Sequence, residues 1–162
     1  MKSLVIIPTY NEIENISSII KAVLQKKENF HILIVDDKSP DGTAEKVKEL
    51  IQEYKNRLFL EQRDKKLGLG SAYIHGFKWA IKNNYDYIFE MDADFSHNPD
   101  DLSRLLENCM IDGSDVCIGS RYVPGGKILN WPKNRYLLSY YASFYVRIIL
   151  GINIKDTTAG FK

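Results

Sequence analysis

Tyr87-Ile88-Phe89-Glu90-Met91-Asp92-Ala93-Asp94-Phe95-Ser96-His97-Asn98-Pro99 is the stretch on which the reading of this sequence turns. Its first five residues form a mostly apolar run and its last five read as a turn opening a helix. Two carboxylates stand between them. Carboxylates at the carboxyl end of a buried strand sit where open α/β sheets place their ligands. Their i, i+2 spacing on extended backbone would point both to one side, so that they can converge on a single cation. Hard oxygen donors of this kind suit Mg²⁺ or Mn²⁺ holding a diphosphate. Such an ion would neutralise charge building on a leaving nucleotide. On these residues alone, simple capping of a helix after a strand stays open as the alternative.

Working outward, apolar runs rich in Ile and Val recur at Leu4–Thr9, His31–Asp36, Leu58–Glu61, Tyr87–Met91 and Val116–Ser120. Continuous rather than alternating runs predict strands buried on both faces. Between them, Ile16, Ile19, Ile20, Val23 and Leu24 follow a helical stripe. Val47, Leu50, Ile51 and Tyr54 repeat it, as do Leu102, Leu105, Leu106 and Cys109. Strand and helix in alternation predict an α/β fold, a mostly parallel sheet flanked by helices.

Composition excludes several classes. The chain has 162 residues, 44% of them hydrophobic, and a formal net charge of +1. That is one globular core with no global electrostatic case for nucleic acid. Cys109 and Cys117 lack metal or redox spacing and read as reduced core thiols of a cytosolic protein. No apolar run is long enough to span a bilayer.

Chemistry collects at the strand ends. Pro8-Thr9-Tyr10-Asn11-Glu12 follows the first strand, and Asp36-Asp37-Lys38-Ser39-Pro40-Asp41-Gly42-Thr43 closes the second. The latter contains a good turn with Asp41 or Thr43 as helix cap. The adjacent charges of Asp36 and Asp37 are costly at a buried strand end, which suggests a ligand for one of them. Tyr10 could stack on a base. Lys66-Leu67-Gly68-Leu69-Gly70 has glycines opening a helix, yet Tyr73 stands where a dinucleotide fingerprint needs its third glycine, and the motif follows the third strand.

Read in order, these segments together with Gly119-Ser120-Arg121-Tyr122, Asn130-Trp131-Pro132, Arg135 and Asp156-Thr157-Thr158-Ala159-Gly160-Phe161-Lys162 resemble the dolichol-phosphate mannose synthases. These are inverting glycosyltransferases of the GT-A (Rossmann-like) fold. The resemblance implies transfer of mannose from GDP-mannose to a polyprenyl (dolichyl) phosphate, in protein glycosylation, with Mg²⁺ or Mn²⁺. It implies that Pro8, Tyr10, Glu12, Val35 and Asp37 line the nucleoside pocket. Asp92 and Asp94 would serve the metal and diphosphate, with Ala93 close to the sugar nucleotide. Some relatives carry Gln at the position of Ser96 as a further metal-side ligand. Arg121, beside the donor, and Arg135 would receive the acceptor phosphate, a task suited to the planar guanidinium fork. Transfer of glucose or a related sugar from a UDP-sugar to undecaprenyl phosphate is the enzymatic alternative. A nucleotide-sugar-binding module without activity is the other.

A polyprenyl phosphate is already anionic, so attack needs no general base. His31, His75 and His97 accordingly read as structural or capping residues. Residues 1–121 are expected to form the nucleotide-sugar-binding half of one catalytic domain, and 122–162 the acceptor- and membrane-facing segment. Arg135 to Leu150 reads as a helix apolar on nearly every side, with tyrosines and Arg147 fitting a membrane interface. A cytoplasmic protein lying peripherally on the cytoplasmic face of a membrane is expected, with self-association through that helix. The sequence stops inside the last shared motif, so a domain truncated at its C-terminus is expected, its competence open.

Overall fold

The computed structural model describes every residue except Gly125, Lys127, Leu129 and Asn130. Asn130 of the Asn-Trp-Pro run therefore lies outside the described residues. Four parallel strands, β1 (Ser3–Thr9), β2 (His31–Asp36), β3 (Leu58–Gln62) and β4 (Tyr87–Glu90), form a sheet in the order β3-β2-β1-β4. Helices α1 (Ile16–Leu24), α2 (Thr43–Glu53) and α3 (Leu69–Lys82) link successive strands, and α4 (Asp101–Asp112) and α5 (Lys133–Leu150) follow.

Side-chain alternation sorts the core into two layers. Val5 and Ile7 of β1 with Ile32 and Ile34 of β2 pack against the apolar stripes of α1, α2 and α4. Leu4, Ile6, Leu33 and Val35 point to the other face, under Ala72, Tyr73 and Ala80 of α3. All eight strand residues are fully buried, the double-sided burial that continuous apolar runs predict. Helix α3 lies so close to β1 that a Cβ on Gly76 would stand 2.6 Å from Ile6 Cγ2 and 2.9 Å from its Cδ1.

Register aligns the carboxyl ends. Thr9 pairs with Asp36, Asp36 with Gln62, and Ile6 with Glu90. The chain leaves β1 toward β2 and β3 on one side and returns to β4 on the other, so the crevice between β1 and β4 is the topological switch point. Among the described residues outside asparagine and glycine, only Lys38 (φ 58°) and Phe95 (φ 59°) occupy the left-handed region, and both lie on this rim. Strained backbone of this kind clusters where surrounding structure over-determines a loop.

The expected fifth strand, Val116–Ser120, does not form. A ladder needs a neighbour, and residues 161–162 lie between this segment and β4: Gly119 N–H donates to Phe161 C=O (2.9 Å), and Glu90 N–H to Lys162 C=O (2.7 Å). Below that wedge Val116 and Cys117 face β4 across a groove of about 610 Å³. Cys109 and Cys117 border this groove, half-buried rather than in the core. Helix α5 is held by hydroxyl contacts, Ser139 with Tyr122 (2.8 Å) and Ser143 with the Thr157 N–H (3.2 Å). Several of its apolar residues, Leu138, Tyr141, Tyr145, Ile148 and Ile149 among them, are at least 60% exposed. Among the described residues no helix is long and apolar enough to cross a membrane.

Candidate functional site

A cleft of about 270 Å³ opens over the carboxyl ends of the strands, lined by Pro8, Thr9, Tyr10, Glu12, Asp37, Lys66, Gly68, Leu69, Ala72, Asp92, Ala93 and Asp94. It gathers every residue expected to hold the donor except Val35 and Arg121. Val35 is fully buried, its side chain in the layer beneath α3, so it supports the cleft floor and does not line it.

The two carboxylates do not lie on extended strand, as their spacing suggested. The sheet ends at Glu90, and 93–97 is a bend through Phe95. Local donors hold each carboxylate. Tyr73 O–H donates to Asp92 Oδ1 (3.2 Å), and Ser96 N–H to Asp94 Oδ1 (2.9 Å). Burial raises the Tyr73 pKa and the charges of Asp92 and Glu90 raise it further, so the phenol remains a donor. Burial acts to raise the Asp94 pKa, but hydrogen bonds from the Ser96 side chain and N–H outweigh it and the net shift is downward. Both groups thus keep an oxygen that no protein donor takes among the described residues.

This donor set fits a divalent cation arriving with a diphosphate. The described residues contain no cluster of three or more His, Cys, Asp or Glu able to cage an ion. Two carboxylates leave most of an octahedral shell to phosphate oxygens and water, which is how Mg²⁺-type sites on nucleotides are commonly built.

Asp36 and Asp37 find their partners inside the protein, which corrects the expectation that a ligand must neutralise them. Asp36 accepts from Thr9 Oγ1 (2.9 Å) and from Ser39 N–H (2.9 Å) and Oγ (2.5 Å). Asp37 pairs with Arg63, both side chains only 7% exposed, and accepts from Leu67 and Gly68 N–H at 3.0 Å each. Arg63 also donates to Ser71 Oγ (2.6 Å) and Gly68 C=O (3.1 Å). Gly68 takes φ 90° there, which a side chain would resist. Asp37 thus organises the loop of residues 64–68, whose Lys66 ammonium sits 3.7 Å over the Tyr10 ring. The turn forms, but the helix-cap position falls on Gly42 (φ 90°) and not on Asp41 or Thr43; Asp41 instead accepts from Thr43 N–H (3.0 Å) and Oγ1 (2.6 Å).

Arg121 and Arg135 come together beside the cleft. Their guanidinium carbons lie 4.7 and 4.1 Å from the centroid of one indole, Trp131. Arg121 gives its Nε and Nη2 edge to the buried Asp156 (2.7 Å each) and Nη2 also to Thr158 Oγ1 (2.7 Å). Among the described residues nothing accepts from its Nη1. Of the histidines, His31 bonds Tyr85 O–H (2.8 Å) and His75 meets Glu61 (3.1 Å), both structural as expected. His97 lies against Asp92. Sequence reasoning missed Arg63 and Tyr73 as partners of the cleft carboxylates, and read His97 as structural without its hold on Asp92. The available signal was position: Arg63 is the first residue past β3, and α3 carries Tyr73 one turn in.

The amino-acid sequence matches the Glycosyl transferase family 2 description over residues 4–162. It is 48% identical to a polyprenol monophosphomannose synthase of Mycolicibacterium smegmatis, covering 99% of this chain and 60% of that protein. It is 44% identical to a dolichol-phosphate mannosyltransferase of Pyrococcus furiosus, covering 99% of this chain and 45% of the other. The chain therefore spans roughly half the length of these relatives. Among solved structures, residues 1–349 of S. aureus TarS share the fold, with a TM-score of 0.57 at 24% identity over 71% of this chain and 34% of that one. The expected resemblance and the GT-A-like α/β fold are both borne out. The chain belongs to glycosyl transferase family 2.

Proposed function

We propose that this chain binds the sugar-nucleotide donor and the acceptor phosphate of a polyprenyl-phosphate mannosyltransferase, taking mannose from GDP-mannose with inversion. The observation that carries the reading is the meeting, at the carboxyl ends of the strands, of a cleft, two partly free carboxylates and a pair of guanidinium groups. The relatives named for polyprenol and dolichol phosphate support the lipid acceptor.

In this reading Tyr10 offers its ring to the base once Lys66 moves toward the diphosphate, and Pro8 and Glu12 border the nucleoside. Asp92 and Asp94 would hold Mn²⁺ or Mg²⁺, which would supply charge neutralisation for a nucleoside diphosphate leaving group. Arg121 Nη1 and the Arg135 fork receive the acceptor phosphate and screen its repulsion from the donor. Stacking on Trp131 fixes both cations before the substrate arrives, so orientation is largely established in advance. The acceptor is an anion and attacks the anomeric carbon without losing a proton. The exposed apolar side chains of α5, with Arg135 and Arg147 at its ends, would rest in the interface of the cytoplasmic leaflet beside the lipid chain. A second copy could cover the same side chains.

Calorimetric titration of GDP in Mn²⁺ and then in EDTA tests the donor site. Tighter binding with Mn²⁺, lost in Asp94→Ala, is expected. Equal affinity in the two buffers removes the carboxylates from that role. A thermal-shift comparison of GDP-mannose with UDP-glucose discriminates the donor, since ligand at 100 times its dissociation constant adds about 2.7 kcal/mol.

A further inference from the structure

We propose that His97 is a positioning residue for the Asp92-Ala93-Asp94 bend, its imidazole fixing the Asp92 main chain so that the two carboxylates stay arranged for a nucleotide-bound divalent cation. The inference rests on the donor-site reading above. Asp92 N–H donates to His97 Nδ1 at 3.1 Å. Nδ1 must therefore carry the lone pair, which puts the ring proton on Nε2. That nitrogen stands 3.9 Å from Asp92 Oδ2, beyond hydrogen-bond reach but close enough to bias the carboxylate's rotation.

The ring itself cannot turn freely. Phe161 stacks on it with centroids 5.0 Å apart and planes 8° from parallel. At Gly160 the backbone passes so near that a Cβ would meet His97 Cε1 at 3.3 Å and Asp92 Oδ2 at 3.8 Å. The side chain is 16% exposed.

What the imidazole holds is a strained bend. Between Asp92 and His97 the chain passes through Phe95 at φ 59°, a conformation an aromatic residue leaves when nothing enforces it. Two hydrogen bonds close the bend, Ser96 N–H to Asp94 at one end and Asp92 N–H to His97 at the other. Without the second, Phe95 is free to relax and Asp94 swings with it. Groups that orient metal ligands in this indirect way commonly matter for affinity without touching the ion.

The test compares His97→Phe, which keeps a ring on Phe161 but has no acceptor, with His97→Asn, whose Oδ1 can occupy the Nδ1 position. Mn²⁺ affinity in saturating GDP is read by the electron spin resonance of free Mn²⁺, GDP affinity in EDTA by calorimetry, and folding by thermal melting. His97→Phe should weaken Mn²⁺ by about 10–100-fold while leaving metal-free GDP affinity unchanged, and His97→Asn should restore most of the loss. If His97→Phe does not fold, His97→Gln takes its place, because its amide reaches past Nδ1. Unchanged Mn²⁺ affinity in the acceptor-less variant overturns the proposal. So does a well-folded His97→Asn that is as weak as His97→Phe. Wild-type protein whose GDP affinity ignores Mn²⁺ overturns the donor-site reading and this proposal with it.

Discussion

Arg63→Met should be among the more damaging single substitutions in this chain, although Arg63 belongs to no hydrophobic cluster. The variant leaves the Asp37 carboxylate, 7% exposed, without its cation. Removing one member of a buried pair costs about 3–5 kcal/mol, because the remaining charge stays desolvated. Two compensations moderate this: Leu67 and Gly68 N–H still reach Asp37 Oδ2 at 3.0 Å. The lower end, about 3 kcal/mol, is therefore expected. With a urea m-value near 2 kcal/mol/M, the unfolding midpoint should fall by about 1.5 M. Asp37→Asn in the same background keeps an oxygen for both N–H groups and removes the orphan charge. The double variant should be more stable than the two single losses predict, with a coupling of about 2–3 kcal/mol. Urea titration followed by circular dichroism measures all four proteins. Additive losses, or a shift for Arg63→Met below about 1 kcal/mol, would show that solvent reaches the pair and that the loop of residues 64–68 needs no such anchor.

Three further outcomes can be measured. For Asp156, burial raises the pKa, but hydrogen bonds from Arg121, its charge and Thr158 more than offset this, leaving the native value below 3.8. The unfolded chain then binds the proton first, so this stability is present above pH 3.8 and drains away as pH falls through the native value; urea midpoints of Asp156→Asn should lack that acid slope. Arg135→Ala should spare GDP affinity while costing about 1.5–3 kcal/mol in transfer to a polyprenyl phosphate, and a parallel fall in GDP affinity would move the residue to the donor side. Wild-type protein should float with anionic vesicles or sediment as a self-associated species, and Tyr141→Glu with Ile148→Glu should abolish both; a wild-type monomer that ignores vesicles would end the interfacial reading of α5.

Periodicity made most of the fold legible. Apolar runs mark all four strands to within a residue or so, but the burial on both faces that such runs predict holds for β1 and β2, while β3 at the sheet edge and the start of β4 are only half-buried. Val116–Ser120 has the same composition and forms no strand, because pairing belongs to the neighbour and the neighbour here is the wedge of Phe161 and Lys162. At the site, residue type located Tyr10, Asp37, Asp92 and Asp94, but the partners of those residues were hidden. Arg63 lies 26 residues from Asp37 and Asp156 lies 35 from Arg121, distances that only the folded sheet closes. The charge of Asp36 and Asp37 pointed correctly to a need for partners, and wrongly to a ligand as their source. His97 was legible as a structural residue, while its hold on Asp92 depends on a left-handed Phe95 that no periodicity encodes.

The contact between Gly76 and Ile6 carries a consequence for how such a sequence can diverge. A methyl group at position 76 would overlap a side chain that is itself wedged between fully buried neighbours, and a close-packed interior does not yield there. The two positions are therefore linked in time as well as in space. Position 6 must shrink before position 76 can grow, and a lineage that took the steps in the opposite order would pass through a poorly folded intermediate. Where descendants of a common ancestor carry alanine at the helix position, the facing strand position should hold a residue smaller than isoleucine, and that replacement should be the older of the two.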